Sequence, residues 1–164
     1  MATLSSDGQI VHYHLAKNKI LSENNTHRDN NVSLTCGDYT RDGRRLIVGG
    51  SDRLLYVYDE RERALEATLH GKNLKIAGHQ NRIFGIKCHP HDSNLFVTCG
   101  WDRSVKIYDV RTGGPVASMG GPVISGDSID IHDDMIVTGS NRNKDVMQVF
   151  SLSQQKRIYT FDYS

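Results

Sequence analysis

The segment TCGWDRSVKIYD, from Thr98 to Asp109, is the most informative part of the sequence, because VGGSDRLLYVYD, from Val48 to Asp59, repeats its pattern fifty residues earlier. Both copies have a Gly-X-Asp-Arg turn, followed by an alternating segment that ends in Tyr-Asp. Such alternation is typical of β-strands, and a fixed period in segments of this kind indicates a repeat array. A repeat array predicts a protein that holds partners.

The repeat extends outward into two complete units of four predicted strands each. In the later unit the strands are predicted at residues 82–88, 95–99, 105–108 and 116–119. In the earlier unit they are predicted at residues 32–37, 46–49, 55–58 and 65–69. Clusters of Gly, Pro, Asp and Asn separate these segments, which is the composition of tight turns.

Two further units are altered. The third complete one has predicted strands at residues 128–131, 135–138, 146–150 and 157–161, and its middle turn, GSNRNKD, carries about two extra residues. The segment 4–15 resembles only the middle of a unit, with Asp7 where the others have Asp52 and Asp102. The predicted organisation is a partial unit at 1–26, without its first strand, and complete units at 27–70, 71–120 and 121–164.

These features resemble the WD-repeat family. The resemblance covers essentially the whole chain and is strongest over residues 78–109, where Gly-His opens the unit and Tyr-Asp replaces the Trp-Asp that closes it in the family. It implies an all-β fold of four-stranded antiparallel blades in an incomplete β-propeller of about three and three-quarters blades. Because propellers have about four to eight blades, we expect a fragment of a longer propeller or a chain that pairs with a second WD-repeat chain. A strained ring of four blades is the third alternative.

The resemblance also implies a buried hydrogen-bond group made of His79, Thr98, Asp102 and Tyr108, with Tyr108 in place of the family's Trp. A hydroxyl, an imidazole and a carboxylate are also the components of a nucleophilic triad. A triad needs an exposed hydroxyl beside an oxyanion hole, and the sequence has no GxSxG elbow to present one. We therefore predict a structural group and no catalytic residues.

Histidines spaced two apart raise the question of a metal site. On a strand, His12 and His14 would face the same side, and so would His89 and His91, with Cys88 beside them. Turn or surface histidines are the alternative, and no third and fourth ligand has a recognisable spacing. The glycine clusters RTGG and MGGP lack the lysine and helix start of a phosphate loop. We predict no metal and no cofactor.

Charge and composition limit the classes of partner. The net charge is +1, and the arginines between residues 41 and 63 alternate with acidic residues, which is typical of a solvated surface rather than a nucleic-acid groove. No apolar run approaches the ~20 residues of a membrane span. Three cysteines without CxxC spacing indicate reduced thiols. We expect a cytoplasmic protein, with the nucleus or a cytoskeletal assembly as alternatives.

One rim of the predicted propeller is the candidate binding surface. The resemblance implies that the loops before the first strand and between the second and third strands open on the same rim. The chain's single tryptophan, Trp101, is predicted there beside Arg82 and Phe84, with Ser51 at the matching turn. An exposed Trp near Arg is typical of an interface, whereas packing onto the adjacent blade is the alternative. We predict a non-catalytic scaffold for protein–protein interactions. The alternative is a module that binds a charged ligand, such as a modified peptide, RNA or a phosphoinositide.

Overall fold

In residues 1–71 and 75–162, which the computed structural model describes, the strands form four antiparallel sheets. The first sheet contains β1 (Ala2–Leu4), β2 (Ile10–His14) and β3 (Lys19–Asn24). The second contains β4 (Leu34–Tyr39), β5 (Arg45–Gly50), β6 (Leu55–Asp59) and β7 (Ala64–Leu69). The third contains β8 (Ile83–Cys88), β9 (Leu95–Gly100), β10 (Ser104–Asp109) and β11 (Gly114–Gly120). The fourth contains β12 (Ile129–His132), β13 (Met135–Gly139), β14 (Met147–Ser151) and β15 (Lys156–Phe161).

Helical structure is confined to short connections. The helix α1 spans Thr26–Asp29, and single 3₁₀ turns span Leu15–Lys17 and Val110–Thr112. Among the described residues, no helix is long and apolar enough to cross a membrane.

The Gly-X-Asp-Arg sequence makes the turn between the second and third strands of a sheet. Asp52 Oδ1 accepts a hydrogen bond from the backbone N–H of Leu54, and Asp102 Oδ1 accepts one from that of Ser104. A carboxylate that bonds the backbone two residues on is a standard way to fix a tight turn. The arginine of each turn has a positive φ, 75° for Arg53 and 59° for Arg103.

Consecutive sheets pack face to face, and each interface is a separate apolar cluster. The first and second sheets share a cluster around Ile10 and Leu46. The second and third share one around Ile47 and Phe96. The third and fourth share one around Ile107, together with apolar side chains of the fourth sheet. The first strands β4, β8 and β12 lie side by side where the sheets meet.

This arrangement confirms the prediction of an all-β, incomplete propeller of four-stranded antiparallel blades. In every sheet the strands are hydrogen-bonded in chain order. The first sheet has three strands, and the other three have four each. All three four-stranded sheets carry a register shift between the third and fourth strands, after Val57, Ile107 and Val149, so their residues can be matched position by position.

Candidate functional site: a buried hydrogen-bond group beneath an exposed rim

Three of the predicted group members are linked in the third sheet. His79 Nδ1 lies 2.8 Å from Asp102 Oδ2, and His79 Nε2 lies 2.7 Å from Thr98 Oγ1. Asp102 also accepts hydrogen bonds from the backbone N–H of Gln80 at 3.0 Å and from the hydroxyl of Ser104 at 2.8 Å. One carboxylate thus joins the loop before β8 to the turn between β9 and β10.

Burial decides the protonation of this group. The His79 side chain is 0% exposed, and burial lowers its pKa even though the bond to Asp102 acts in the opposite direction. Despite its own burial, the pKa of Asp102 falls to about 2, because His79 and the Gln80 and Ser104 donors stabilise the carboxylate. A carboxylate can only accept, so neutral His79 donates from Nδ1, and its Nε2 accepts from the Thr98 hydroxyl. That hydroxyl belongs to a residue that is 0% exposed, which denies it to a substrate.

Tyr108 joins the group mainly through its ring. The ring stacks on His79 with centroids 6.2 Å apart and an interplanar angle of 23°, and it stacks on Phe96 on β9. Burial raises the pKa of the Tyr108 hydroxyl. Among the described residues, the donors to the Asp102 carboxylate are His79, Gln80 and Ser104, so Tyr108 contacts the group through its ring.

The second sheet has a related arrangement that the sequence analysis missed. His27, on α1, is 2% exposed, and its Nε2 lies 2.5 Å from the Tyr58 hydroxyl. Val48 occupies the position of Thr98, and so the tyrosine supplies the hydroxyl that threonine supplies in the third sheet. The repeat period projects His79 onto Asp29, two residues from His27. A search that allowed two extra residues in the connection would have found it.

The rim residues Arg82, Phe84 and Trp101 lie together above this group. The backbone N–H of Trp101 donates to the carbonyl of Arg82 at 3.1 Å, and the Trp101 ring lies 5.0 Å from that of Phe84. Trp101 Nε1 donates to Ser125 Oγ at 3.1 Å, in the connection to the fourth sheet. Trp101 nevertheless remains 42% exposed. Trp101 therefore has features of both predicted arrangements: one part of the side chain packs towards the next sheet, and the rest is exposed to solvent.

Ser51 lies on the matching turn of the second sheet, outside that set of contacts. Its hydroxyl accepts a hydrogen bond from the backbone N–H of Ser33 at 3.1 Å, and its own N–H donates to the Ser33 carbonyl. Ser51 therefore closes its turn against the strand entry in the way that Trp101 does, but without an exposed ring.

The paired histidines have hydrogen-bond partners of other kinds. His12 Nε2 lies 3.0 Å from Glu60 Oε1, and its Nδ1 lies 3.2 Å from Ser22 Oγ, so this residue links the first two sheets. His89 Nδ1 accepts from the backbone N–H groups of the turn that follows it. In the part of the chain that the structure describes, no group of three or more His, Cys, Asp or Glu side chains is arranged to hold a metal ion.

Comparison with known proteins agrees with this geometry. The family profile described as "WD domain, G-beta repeat" matches residues 18–59 and 71–109. The chain belongs to the WD-repeat family. The two matches cover the second and third sheets up to the Tyr-Asp that ends the third strand of each, and the second match contains His79, Thr98, Asp102 and Tyr108.

Several curated WD-repeat relatives are similar over part of their length. Nuclear distribution protein PAC1 from Komagataella phaffii is 31% identical over 154 residues, which is 86% of this chain and 30% of the relative. Ribosome biogenesis protein YTM1 from Lodderomyces elongisporus is 33% identical over 92 residues, 49% of this chain and 19% of the relative. The WD repeat-containing protein 55 homolog from Drosophila persimilis is 31% identical over 118 residues, 71% of this chain and 21% of the relative. The chain therefore spans less than a third of the length of each.

Proposed function

We propose that this chain is a non-catalytic WD-repeat scaffold that mediates protein–protein interactions as part of a larger propeller or assembly. The observation that carries the proposal is the half-exposed Trp101, which lies beside Arg82 and Phe84 on the rim. Tryptophan and arginine are enriched among the few residues that dominate binding energy at protein interfaces. The burial of the Thr98 hydroxyl supports a structural role for the group below the rim.

The outer face of the fourth sheet supports the larger assembly. Matched cross-strand rows run across each sheet, and their exposure can be compared directly. The rows are Ile47, Val57 and Ala67 in the second sheet, Val97, Ile107 and Ala117 in the third, and Val137, Val149 and Tyr159 in the fourth. The first two rows are covered by the next sheet, whereas Val137 is 36% and Tyr159 is 62% exposed. Met147 and Phe161, at 39% and 45%, extend the same face.

A carboxylate on the first strand gives a second sign of a missing neighbour. Asp38 on β4 bonds the next residue's N–H through Oδ1, and its Oδ2 accepts from the backbone N–H of Cys88 in the third sheet. Asp130 on β12 makes the same local bond, from Ile131 N–H to Oδ1. Its other oxygen is available to a strand packed against the fourth sheet. We propose that a further four-stranded sheet covers this face and that the units 1–26, 27–70, 71–120 and 121–164 are consecutive blades.

The names of the relatives are compatible with assembly roles in several compartments. They include a nuclear distribution protein, a ribosome biogenesis protein and an echinoderm microtubule-associated protein-like 2 from Mus musculus. The thiols of Cys36, Cys88 and Cys99 are free. We propose a reducing intracellular location, in the cytoplasm in the first instance and with the nucleus or cytoskeleton as alternatives.

Affinity purification of the tagged protein from its native cell tests the rim. The variant Trp101→Ala with Arg82→Glu should lose the partner proteins that the wild type captures. Leu15→Ala is the matched control, because Leu15 is 67% exposed on a connection at the opposite end of the strands. An unchanged set of captured proteins in the rim variant would contradict the proposal.

A further inference from the structure

The surface around Trp101 is continuous from the third sheet to the fourth. Ser125 Oγ accepts from Trp101 Nε1 at 3.1 Å and from Asn141 Nδ2 at 3.2 Å, and Asn141 N–H donates to the carbonyl of Val123. These bonds hold the enlarged turn of the fourth sheet next to the tryptophan. We call the exposed side chains of this region the Trp101 surface: Arg82, Trp101, Arg103, Ser125, Asn141 and Arg142.

The arginines of this surface differ from several of those at the other end of the strands. Among the described residues, none of the guanidinium groups of Arg82, Arg103 and Arg142 forms an ion pair. At the opposite end, four arginines are paired: Arg44 with Asp42, Arg45 with Glu66, Arg61 with Glu62 and Arg111 with Asp109. Some arginines at the opposite end are thus neutralised within the fold, whereas the three on the Trp101 surface have no acidic partner among the described residues.

The neighbouring carboxylates of Asp102 and Asp127 bond other groups and not these arginines. Asp102 sits between Trp101 and Arg103, but its side chain is 6% exposed and accepts from His79, Gln80 and Ser104. Asp127 lies 3.5 Å from Lys87. Asp145, an exposed carboxylate on the same turn as Arg142, marks the boundary of the basic region.

We propose that the Trp101 surface binds an acidic peptide segment of a protein partner, with an apolar side chain on the tryptophan and carboxylates on the arginines. This inference rests on the proposed scaffold function and names the chemistry of its partner. Arginine is suited to the role because its planar guanidinium can bond a carboxylate through two parallel N–H groups. Complementary charge of this kind fixes the register of a bound peptide and speeds encounter.

A polyanion such as RNA or a phosphoinositide membrane fits the surface less well. The whole chain has a net charge of only +1, and the opposite end of the strands carries acidic residues, so no broad one-sign field follows a phosphate backbone. Stacking a base would need an open aromatic face, whereas Phe84 covers part of the tryptophan and Ser125 fixes its N–H. The positive charges of the three arginines and the partly covered Trp101 ring are complementary to a short acidic peptide with one apolar side chain.

Selection from a phage-displayed library of random linear peptides on the full chain tests this directly. We expect enrichment of sequences with several Asp or Glu residues around one apolar residue. A synthetic enriched peptide should bind at least about tenfold more weakly to Arg82→Glu, Arg103→Glu and Arg142→Glu variants, and more weakly at high salt. Arg41→Glu is the control, since Arg41 is exposed in the turn between β4 and β5 at the opposite end, and it should bind as the wild type does.

Enrichment of peptides without acidic residues would overturn the inference, and so would unchanged binding to the three charge-reversed variants. Oligouridine RNA or phosphoinositide vesicles that bind through the same arginines, in place of the peptides, would assign the surface to a different partner class. If native partners depend on Trp101 but not on the arginines, the acidic chemistry fails and the scaffold proposal stands. If partners depend on neither, the rim proposal itself fails.

Discussion

Replacing Asp102 with alanine removes the acceptor of four hydrogen bonds at once. The donors are His79 Nδ1, the backbone N–H of Gln80, and the backbone N–H and hydroxyl of Ser104, at distances between 2.8 and 3.2 Å. His79 is fully buried, so its Nδ1–H would be left without a partner in an apolar setting. Leaving a buried donor unsatisfied costs about 1–3 kcal/mol, and charged hydrogen bonds are worth about 1.5–3 kcal/mol each. We expect a loss of about 3–5 kcal/mol in the free energy of unfolding.

The second sheet provides a matched control. Asp52 occupies the same turn position, but among the described residues only the Leu54 N–H and the Tyr56 hydroxyl donate to its carboxylate. His27 bonds the Tyr58 hydroxyl instead and keeps that partner when Asp52 is replaced. Asp52→Ala should therefore cost about 1–2 kcal/mol.

Urea unfolding of the full chain at pH 7, followed by far-ultraviolet circular dichroism, measures both variants. A difference of about 2 kcal/mol is well resolved against the roughly 5–15 kcal/mol typical of a domain, provided that the m-values agree. Equal costs for the two alanine variants would refute the idea that Asp102 organises the third sheet.

The charge of Asp102 can be separated from its shape. The folded-state pKa of about 2 lies below the ordinary value of 3.8. A carboxyl with a lowered pKa stabilises the fold above its unfolded pKa and loses that contribution as the pH falls through the folded value. The wild type should therefore lose stability between about pH 4 and pH 2 more steeply than Asp102→Asn, which has nothing to titrate there. Parallel curves for the two proteins would contradict the assignment.

Three further outcomes follow from the same structure. Burial lowers the pKa of both His79 and His27 below 6.5, so the unfolded chain binds protons at a higher pH than the folded chain does. The urea concentration at the unfolding midpoint should therefore decrease as the pH is lowered from 7.5 to 5.5. Gly100→Ala should destabilise the chain by about 2 kcal/mol or more, because a Cβ there overlaps the backbone carbonyl of the residue before β8. Gly120→Ala, which meets open space, should stay within about 0.5 kcal/mol of the wild type in the same unfolding assay. Tyr159→Glu should abolish concentration-dependent association in sedimentation velocity, and a wild type that stays monomeric throughout would contradict a docking role for the fourth sheet.

The repeat period made the fold predictable, because it fixes several independent features together. The spacing of Asp52 and Asp102 aligned the turns, and the alternation on either side located the strands of the three complete sheets to within two residues. The partial unit at 1–26 implied a last strand, but the bounds of β3 were not predicted, since Lys19–Asn24 is largely exposed and carries no clear alternation. Exposed edge strands depend on pairing with a neighbour more than on their own pattern.

The buried groups were only partly predictable. A pattern transferred from the family named His79, Thr98, Asp102 and Tyr108 but did not predict that Tyr108 would act through its ring. His27 escaped notice because its connection is two residues longer and because its partner hydroxyl comes from Tyr58. Which of several nearby hydroxyls an imidazole bonds depends on packing between strands, and a one-dimensional pattern does not contain that information.

The positions where one sheet departs from the others are the positions where we expect partners to bind. Between the sheets, one difference is compensated by another contact. The second sheet has Val48 where the third has Thr98, and its buried histidine bonds the Tyr58 hydroxyl instead. At the rim, Trp101 occupies the position that Ser51 has in the second sheet, and it remains 42% exposed. On the fourth sheet a tyrosine stands where the second and third sheets have alanine, so a surface that covers it must provide a hollow that the internal interfaces lack. Because the exposed part of a large side chain adds little stability to this fold alone, we attribute both departures to binding as a prediction.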